Sequence, residues 1–332
     1  MKQLKIGIVG ANGKIGKKRR KIIEEDDRLE LVALCDTSID NISCKPNCSL
    51  YTNYNAMFKR AKIDAVFISV PHVFTSRIVS SALSHGMHVF AEKPPGICLN
   101  DVIEMRKCLI LNQNSKLKFG FNHRYYTHIQ NAKKIIDSGK LGAVQWIKGT
   151  YGRVELGKGW RVDEKVGCHG ILLSQGIHLV DLFRYFTGQN FHEIKSFVSH
   201  FNEKWYEDNV FAIMRSPSGV VGSLHSSCTL RKNSFIVYIG LEKGYIRVEN
   251  LITSTKSFGF PEELCVADSD KTYFFGNPQK TSTYYGVDVS WKTETDEFIN
   301  SIINDKPIKN GNIDDAYENM KIIEEVYKDG RR

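Results

Sequence analysis

The stretch LKIGIVGANGKIG, residues 4–16, decides the fold. Its apolar run, Leu4–Gly10, ends in glycine. A helical pattern opens at Lys14 and runs to Glu25, and a second apolar run, Leu29–Cys35, follows with Asp36 at its tip. Strand, glycine-rich turn, helix and strand make a βαβ unit. The three glycines stand where such a turn needs small residues. Gly10 permits the tight turn, Gly13 lets the backbone approach a pyrophosphate, and Gly16 lets the helix pack close to the strand. Asn12, Lys14 and Ile15 complete the loop, and the helix N-terminus offers backbone N–H groups and a positive dipole end to phosphates. The spacing, GxxGxxG, is one residue longer than the commoner form, and its strand–turn–helix context gives it weight. Asp36 lies twenty residues after Gly16, where a carboxylate accepts hydrogen bonds from an adenosine ribose. It repels a 2′-phosphate, so NAD(H) is favoured and NADP(H) is the alternative.

The pattern continues outward. Asp64–Val70 is a third buried run, a helix covers Val73–His85, Met87–Ala91 is a fourth run, a helix covers Leu99–Asn112, and Lys116–Asn122 is a fifth run. Alternating strands and helices imply a parallel sheet with helices on both faces. Ligands of such sheets bind at the carboxyl ends of the strands, which places Ser69, Val70, Pro71, Glu92 and Lys93 in the cofactor set. A partly desolvated Lys93 beside a nicotinamide has a lowered pKa and exchanges a proton with a substrate hydroxyl. The plainer alternative is a surface lysine before a turn.

After about residue 125 the pattern changes. Helices Tyr126–Asp137 and Leu172–Phe186 flank the long alternating segment Ala143–Val154. Then come Glu193–Ser199, Asp208–Arg215, Gly219–Ser226, Asn233–Gly240 and Gly244–Asn250, and two helices, Trp291–Ile303 and Asp314–Lys328, close the chain. Hairpin-spaced alternation implies an antiparallel sheet. The fold class is therefore α/β: a Rossmann domain over 1–123, then a substrate-binding and oligomerisation domain over 124–332. The second carries a large, mostly antiparallel open sheet, and the final helices return to the Rossmann part.

The chain has 332 residues, 42% of them hydrophobic, and a formal net charge of +9. The one dense basic cluster, Lys14, Lys17, Lys18, Arg19, Arg20 and Lys21, falls in the first helix and reads as a solvated face, or as help in attracting a phosphorylated ligand. No nucleic-acid-binding motif accompanies it, so nucleic acid is not expected as a partner. No run is long enough to span a membrane. Met-Lys-Gln leads directly into a strand, which sets the expectation of a cytoplasmic protein with eight reduced cysteines. Cys44 and Cys48 lack a second ligand pair, so no metal site is expected.

His178 sits on an otherwise apolar helix. Gly170 and Gly176 thin that helix on one side, as they would to admit a ligand, and histidine suits proton transfer near neutral pH. The bland alternative is a satisfied core histidine. Here the residues resemble a known family. The turn at 10–16, Glu92-Lys93-Pro94, Gly120-Phe-Asn122-His-Arg124-Tyr125, Leu141-Gly142 and Gly176-Ile-His178-Leu-Val-Asp181 occur in the order found in the glucose–fructose oxidoreductase / inositol dehydrogenase (Gfo/Idh/MocA) family. The resemblance implies hydride transfer between nicotinamide and a sugar, polyol or nucleotide sugar, and a C-terminal sheet that mediates homodimers or homotetramers. It implies Lys93 and His178 as catalytic residues. Asn122, Trp160 and Arg161 would meet the cofactor, with Arg124, Tyr125, Ser174 and Asp181 at the substrate.

Two departures stand out. The family usually carries Asp four residues before the histidine, where this chain has Ser174, and its glycine pattern becomes Gly167-Cys-His169-Gly170. Thr75 also stands where a histidine is usual. Ser174 leaves open a cofactor-binding sensor that has lost turnover, and related folds leave open an imine or biliverdin-type reductase. The stretch 205–209 with Leu224-His-Ser-Ser227 resembles members associated with bacterial surface-sugar biosynthesis; a sheet edge of such groups could hold polar substrate atoms, and the plainer reading, ordinary hairpin residues, is preferred.

Overall fold

In the computed structural model, residues 3–39, 42–154, 163, 165–167, 169–202, 207–253, 256–272 and 278–330 are described. The chain forms two compact units. One comprises Met1–Phe121, Lys165–Gly167 and Trp291–Tyr317; the other comprises Asn122–Glu164, Cys168–Ser290 and Glu318–Arg332.

The first unit begins β1 (Leu4–Val9), α1 (Lys14–Glu24), β2 (Leu29–Cys35), β3 (Ser49–Tyr51), α2 (Tyr54–Arg60), β4 (Ala65–Ile68), α3 (His72–Ser84), β5 (His88–Ala91), α4 (Leu99–Leu111) and β6 (Leu117–Phe119). The six strands run in the order β3-β2-β1-β4-β5-β6, every neighbouring pair parallel. The order reverses between β1 and β4, which opens a crevice at their carboxyl ends. β3 and α2 escaped the sequence reading. β3 has three residues and no alternation to find. α2 is a seven-residue helix, but Asn53 caps it, its side chain accepting from the N–H groups of Asn55 and Ala56, and that signal was present in the sequence.

The second unit contains a 3₁₀ turn, Asn122–Tyr125, then α5 (Thr127–Asp137), β7 (Val144–Gly152), a π-helical segment Leu172–Gly176, α6 (Ile177–Thr187), β8 (Glu193–Ser199), β9 (Asn209–Arg215), β10 (Val221–Ser227), β11 (Ser234–Leu241), β12 (Gly244–Leu251), β13 (Phe258–Thr272) and β14 (Pro278–Tyr285). Its eight strands lie in the order β14-β13-β12-β11-β7-β10-β9-β8. Only β7 and β10 pair in parallel. β13 and β14 are two strands more than the sequence reading found. β13 buries Glu262 and Leu264 and then, one residue out of step, Cys265 and Ala267, with polar residues after that, and β14 is polar and exposed along most of its length, so neither carries a clean apolar alternation in the sequence. An exposed polar edge strand such as β14 discourages further pairing. On the other face of the sheet, a Cβ at Gly149 or Gly222 would come within 3.1 Å of Phe183, so these glycines let α6 lie close to β7 and β10.

Helix α7 (Ser290–Ile303) sends Phe298 and Ile299 into the core of the first unit beside Ile6, Ile8, Phe67 and Phe90. α8 (Ile313–Gly330) ends the chain. Among the described residues no helix is long and apolar enough to cross a membrane.

Candidate functional site

The glycine-rich turn is built by close approach. Gly10 has φ +80°, and a Cβ on it would stand 2.1 Å from the Ser69 carbonyl oxygen; a Cβ on Gly16 would stand 2.0 Å from the Gly10 carbonyl oxygen. Both positions therefore demand glycine. Gly13 differs: its nearest neighbour is 3.4 Å away, so its missing side chain leaves room outside the loop. Gly13 is the N-cap of α1, no side chain caps the helix, and the first turn holds no acidic residue. Its N–H groups thus face an open, positively polarised position. Asp36 organises the far side, its Oδ2 accepting from Asn12 N at 2.9 Å and its Oδ1 from Ser38 N at 3.2 Å. Across the crevice, Ser69 Oγ is buried with no hydrogen-bond partner among the described residues, Val70 packs beside Gly10, and Pro71 precedes α3. A cradle of capless N–H groups, a carboxylate at the tip of β2 and an orphaned hydroxyl fit a dinucleotide with its pyrophosphate over Gly13.

The basic cluster on α1 is not one solvated face. Arg19 is fully buried. Its Nε donates to Glu92 Oε1 at 2.8 Å, and one of its terminal nitrogens donates to Glu294 Oε2 at 2.6 Å. Its guanidinium also lies over Phe90 and Trp291. Burial pushes Glu294 up to about 7. The Glu92 carboxylate is therefore engaged inside the unit, while Lys93, half-buried, follows it at the end of β5 before a cis peptide to Pro94.

In the second unit Asn122, His123, Arg124 and Tyr125 are all buried. Arg124 and Asp181, expected at the substrate, form a bidentate ion pair: Nε to Oδ2 at 2.8 Å and Nη2 to Oδ1 at 2.6 Å. Asn319 also donates to Asp181 Oδ1. Asp181 is 0% exposed, and both of its carboxylate oxygens are engaged by Arg124 and Asn319. His178, at the second position of α6, stacks on His123 with ring centroids 3.5 Å apart and planes at 19°. It lies parallel to the Tyr151 ring at 6.2 Å, and burial pushes that phenol up. His123 lies within the stretch 120–125, between Asn122 and Arg124. Its partnership with His178 spans 55 positions, and no spacing rule reveals it.

The glycines near His178 admit protein rather than a ligand. A Cβ on Gly170 would stand 1.4 Å from the Glu207 carboxylate, and one on Gly176 would stand 2.9 Å from Ser226 Oγ. Glu207 Oε1 accepts from Leu172 N and from the Tyr327 hydroxyl, fixing the entry to the π-helical segment. Ser174 lies within that segment, and its hydroxyl donates to the Ile171 carbonyl at 3.5 Å. Polar groups at 208, 209 and 225 likewise bond to neighbouring protein groups. Asp208 accepts from the backbone of Phe201 and Asn202, and His225 bonds Asn209 and stacks on Phe211. Thr75 is buried on α3. Trp160, Arg161, Trp205 and Tyr206 lie outside the described residues.

Cradle, strand order and switch point define a dinucleotide-binding protein of the doubly wound class. Residues 4–119 match the oxidoreductase family with an NAD-binding Rossmann fold, and residues 129–247 match the Gfo/Idh/MocA C-terminal domain. The two stretches together take in well over half of the chain, which belongs to the Gfo/Idh/MocA family. The chain is 28% identical to a D-glucoside 3-dehydrogenase of Escherichia coli (60% of this chain, 58% of that one) and 29% identical to an inositol 2-dehydrogenase of Rhizobium meliloti (56% of each). It thus spans little more than half the length of these curated relatives. A solved levoglucosan dehydrogenase, in complex with NADH and L-sorbose, superposes with a TM-score of 0.85 at 18% identity, over 100% of this chain and 97% of that one.

Proposed function

We propose that this protein is an NAD-dependent dehydrogenase or reductase acting on a secondary hydroxyl or keto group of a sugar, polyol or nucleotide sugar. The observation that carries the reading is the glycine-rich cradle closed by Asp36, on a chain whose two halves both match one oxidoreductase family. Relatives named as glucoside and inositol dehydrogenases support the substrate class, and the net charge of +9 suits an anionic nucleotide sugar. NAD, when bound, accepts or returns the hydride. Backbone N–H groups at the start of α1 hold the pyrophosphate, and Asp36 takes the ribose hydroxyls and disfavours a 2′-phosphate. Lys93 polarises the reacting oxygen, and His178 takes its proton or gives it back. Asp181 and Arg124 act from behind, by holding α6 against the turn that follows β6.

The test is a titration of the purified protein with NADH and NADPH, followed by turnover on sugars, polyols and UDP-, GDP- and CMP-sugars. NADH binding at least tenfold tighter than NADPH, with turnover on one class, is the expected result. Ser174 favours a second reading, a cofactor-binding sensor without turnover. It is supported if NADH binds tightly, no compound reacts, and Ser174→Asp restores activity.

The exposed face of the second sheet favours assembly with a second copy. Strand alternation buries one face and leaves the other open, with Phe197 78%, Ile213 59%, Phe211 48% and Trp146 43% exposed. Apolar side chains clustered on an open sheet mark an interface, and a homodimer or homotetramer covers them.

A further inference from the structure

We propose that Arg153 sets the substrate class of this protein: its guanidinium binds an oxyanion of the substrate, the phosphate of a nucleotide sugar or sugar phosphate or the carboxylate of a sugar acid. The inference rests on the reading of the protein as a dehydrogenase of the sugar class, and deepens it.

The strand places the side chain. Successive residues of β7 point to opposite faces of the sheet. Ile147, Gly149 and Tyr151 are buried on the face that α6 covers, where a Cβ on Gly149 would come within 2.9 Å of Leu179 and Phe183. Arg153 stands two residues beyond Tyr151. Its N–H donates to the Ser227 carbonyl at 2.8 Å, which carries the β7–β10 ladder one step past the end of the strand. Its side chain therefore shares the face of Tyr151. Burial pushes the Tyr151 phenol up, and the Arg153 charge acts against that shift. The Tyr151 ring in turn lies parallel to that of His178. Arg153 is thus two residues along a strand from a ring that faces the proposed proton-transfer group.

The charge of Arg153 is unmatched. The residue is half-buried. Its Nε is buried, and among the described residues the guanidinium has no hydrogen-bond acceptor and no carboxylate partner. The fully buried arginines behave otherwise: Arg19 lies on Glu92 and Glu294, and Arg124 engages Asp181 through two nitrogens. The carboxylates just before β9 are taken elsewhere. Glu207 accepts from Leu172 N and the Tyr327 hydroxyl, and Asp208 from Phe201 N and Asn202 N. The turn into β11 adds two exposed cations, Arg231 and Lys232, which also have no carboxylate partner among the described residues. β11 starts at Ser234, opposite Gly152, so that turn lies beside the end of β7. A cation drawn half out of water without a counter-charge is costly, and a planar guanidinium binding an oxyanion by charge-assisted hydrogen bonds offsets that cost. A neutral hydroxyl brings no charge to do so.

The test compares substrates that differ in charge. With the whole protein and NAD, kcat/KM is measured for glucose, galactose and N-acetylglucosamine, each against its 6-phosphate, its UDP conjugate and its uronic acid. An anionic member is expected to react with the higher kcat/KM, and the one that does distinguishes phosphate from carboxylate. Arg153→Gln is expected to shrink its advantage over the neutral parent by about 10- to 100-fold, and Arg153→Lys to restore part of it. A neutral parent preferred, or an advantage that Arg153→Gln leaves in place, overturns the proposal while the dehydrogenase reading stands. If no compound turns over, that reading fails, and calorimetric titration of the NADH-loaded protein with UDP, glucuronate and inorganic phosphate decides on Arg153. Anion binding weakened about 10-fold or more by Arg153→Gln supports the site; no binding, or binding unchanged in the variant, overturns it. NADH binding by each variant checks that it is folded. If Arg153→Gln does not fold, the unaltered protein's choice between anion and neutral parent decides alone.

Discussion

Arg19 faces two carboxylates, the buried Glu294 and the partly buried Glu92, with one positive charge. The cluster approaches neutrality when one carboxyl keeps its proton, and burial holds Glu294 up to about 7 from an ordinary 4.5. The folded protein then binds a proton that the unfolded chain releases near 4.5, so this group makes stability fall as pH rises from about 4.5 to about 7. Melting temperature across that window is expected to decline, and Glu294→Gln to flatten the decline. Arg19→Met, which keeps most of the volume and removes the charge, is expected to cost about 3–5 kcal/mol at neutral pH by urea denaturation. The loss shrinks toward pH 5 as the stranded carboxyls protonate. At this scale the sequence was readable where the backbone makes the demand: Gly10, Gly16 and Asp36 are set by local spacing. It was unreadable where a partner lies far along the chain. Arg19 meets residues 73 and 275 positions away, while beside it on α1 Lys18 lies over the Trp291 ring and Arg20 pairs with Glu24 one turn on.

The π-helical segment Leu172–Gly176 is the element on which the second half of the site depends. Sequence periodicity announced a continuous helix over 172–186, because the apolar pattern alone does not separate π from α geometry. The difference lies in the hydrogen-bond ladder. A π segment leaves a carbonyl partly unmatched, and the Ser174 and Ser226 hydroxyls both approach the carbonyl of Ile171, at 3.5 and 3.4 Å. Serine at 174 thus has a place in the fold. Glu207 holds the segment at its start, accepting from Leu172 N at 2.8 Å. Glu207→Ala strands that N–H and removes one partner of the Tyr327 hydroxyl, which also reaches the His169 carbonyl at 3.3 Å, and is expected to cost about 1–3 kcal/mol. Hydrogen exchange at Leu172 and Leu173 should rise more than at α6; uniform protection throughout would show that Glu207 does not anchor the segment. Elsewhere, strands buried on both faces were legible as continuous apolar runs. β3 was not, being short, and neither were β13, whose buried face includes Glu262 and shifts phase between Leu264 and Cys265, and β14, which is polar on both faces.

At the scale of the whole molecule, the change from a parallel to an antiparallel pattern was plain in the sequence, because helix–strand alternation stops near residue 125. The course of the chain after β14 was less so. α7 supplies Phe298 to the first unit's core, in edge contact with Phe67 and Phe90, across more than two hundred positions of sequence. The open face of the second sheet carries an expectation of its own. Ile213→Glu with Phe211→Glu should shift the protein to smaller species in light scattering, with no loss of secondary structure by circular dichroism. An unchanged mass would remove that face from the assembly. The most direct measurement of the central claim is the near-ultraviolet absorbance of NADH, followed while the protein is given NAD and a panel of cyclic polyols, sugars and nucleotide sugars. The account predicts formation of NADH with at least one of these, reduced about 100-fold or more in kcat by His178→Ala and lost with Lys93→Ala. No NADH from any of them, in either direction, together with no binding of NADH or NADPH, would contradict it.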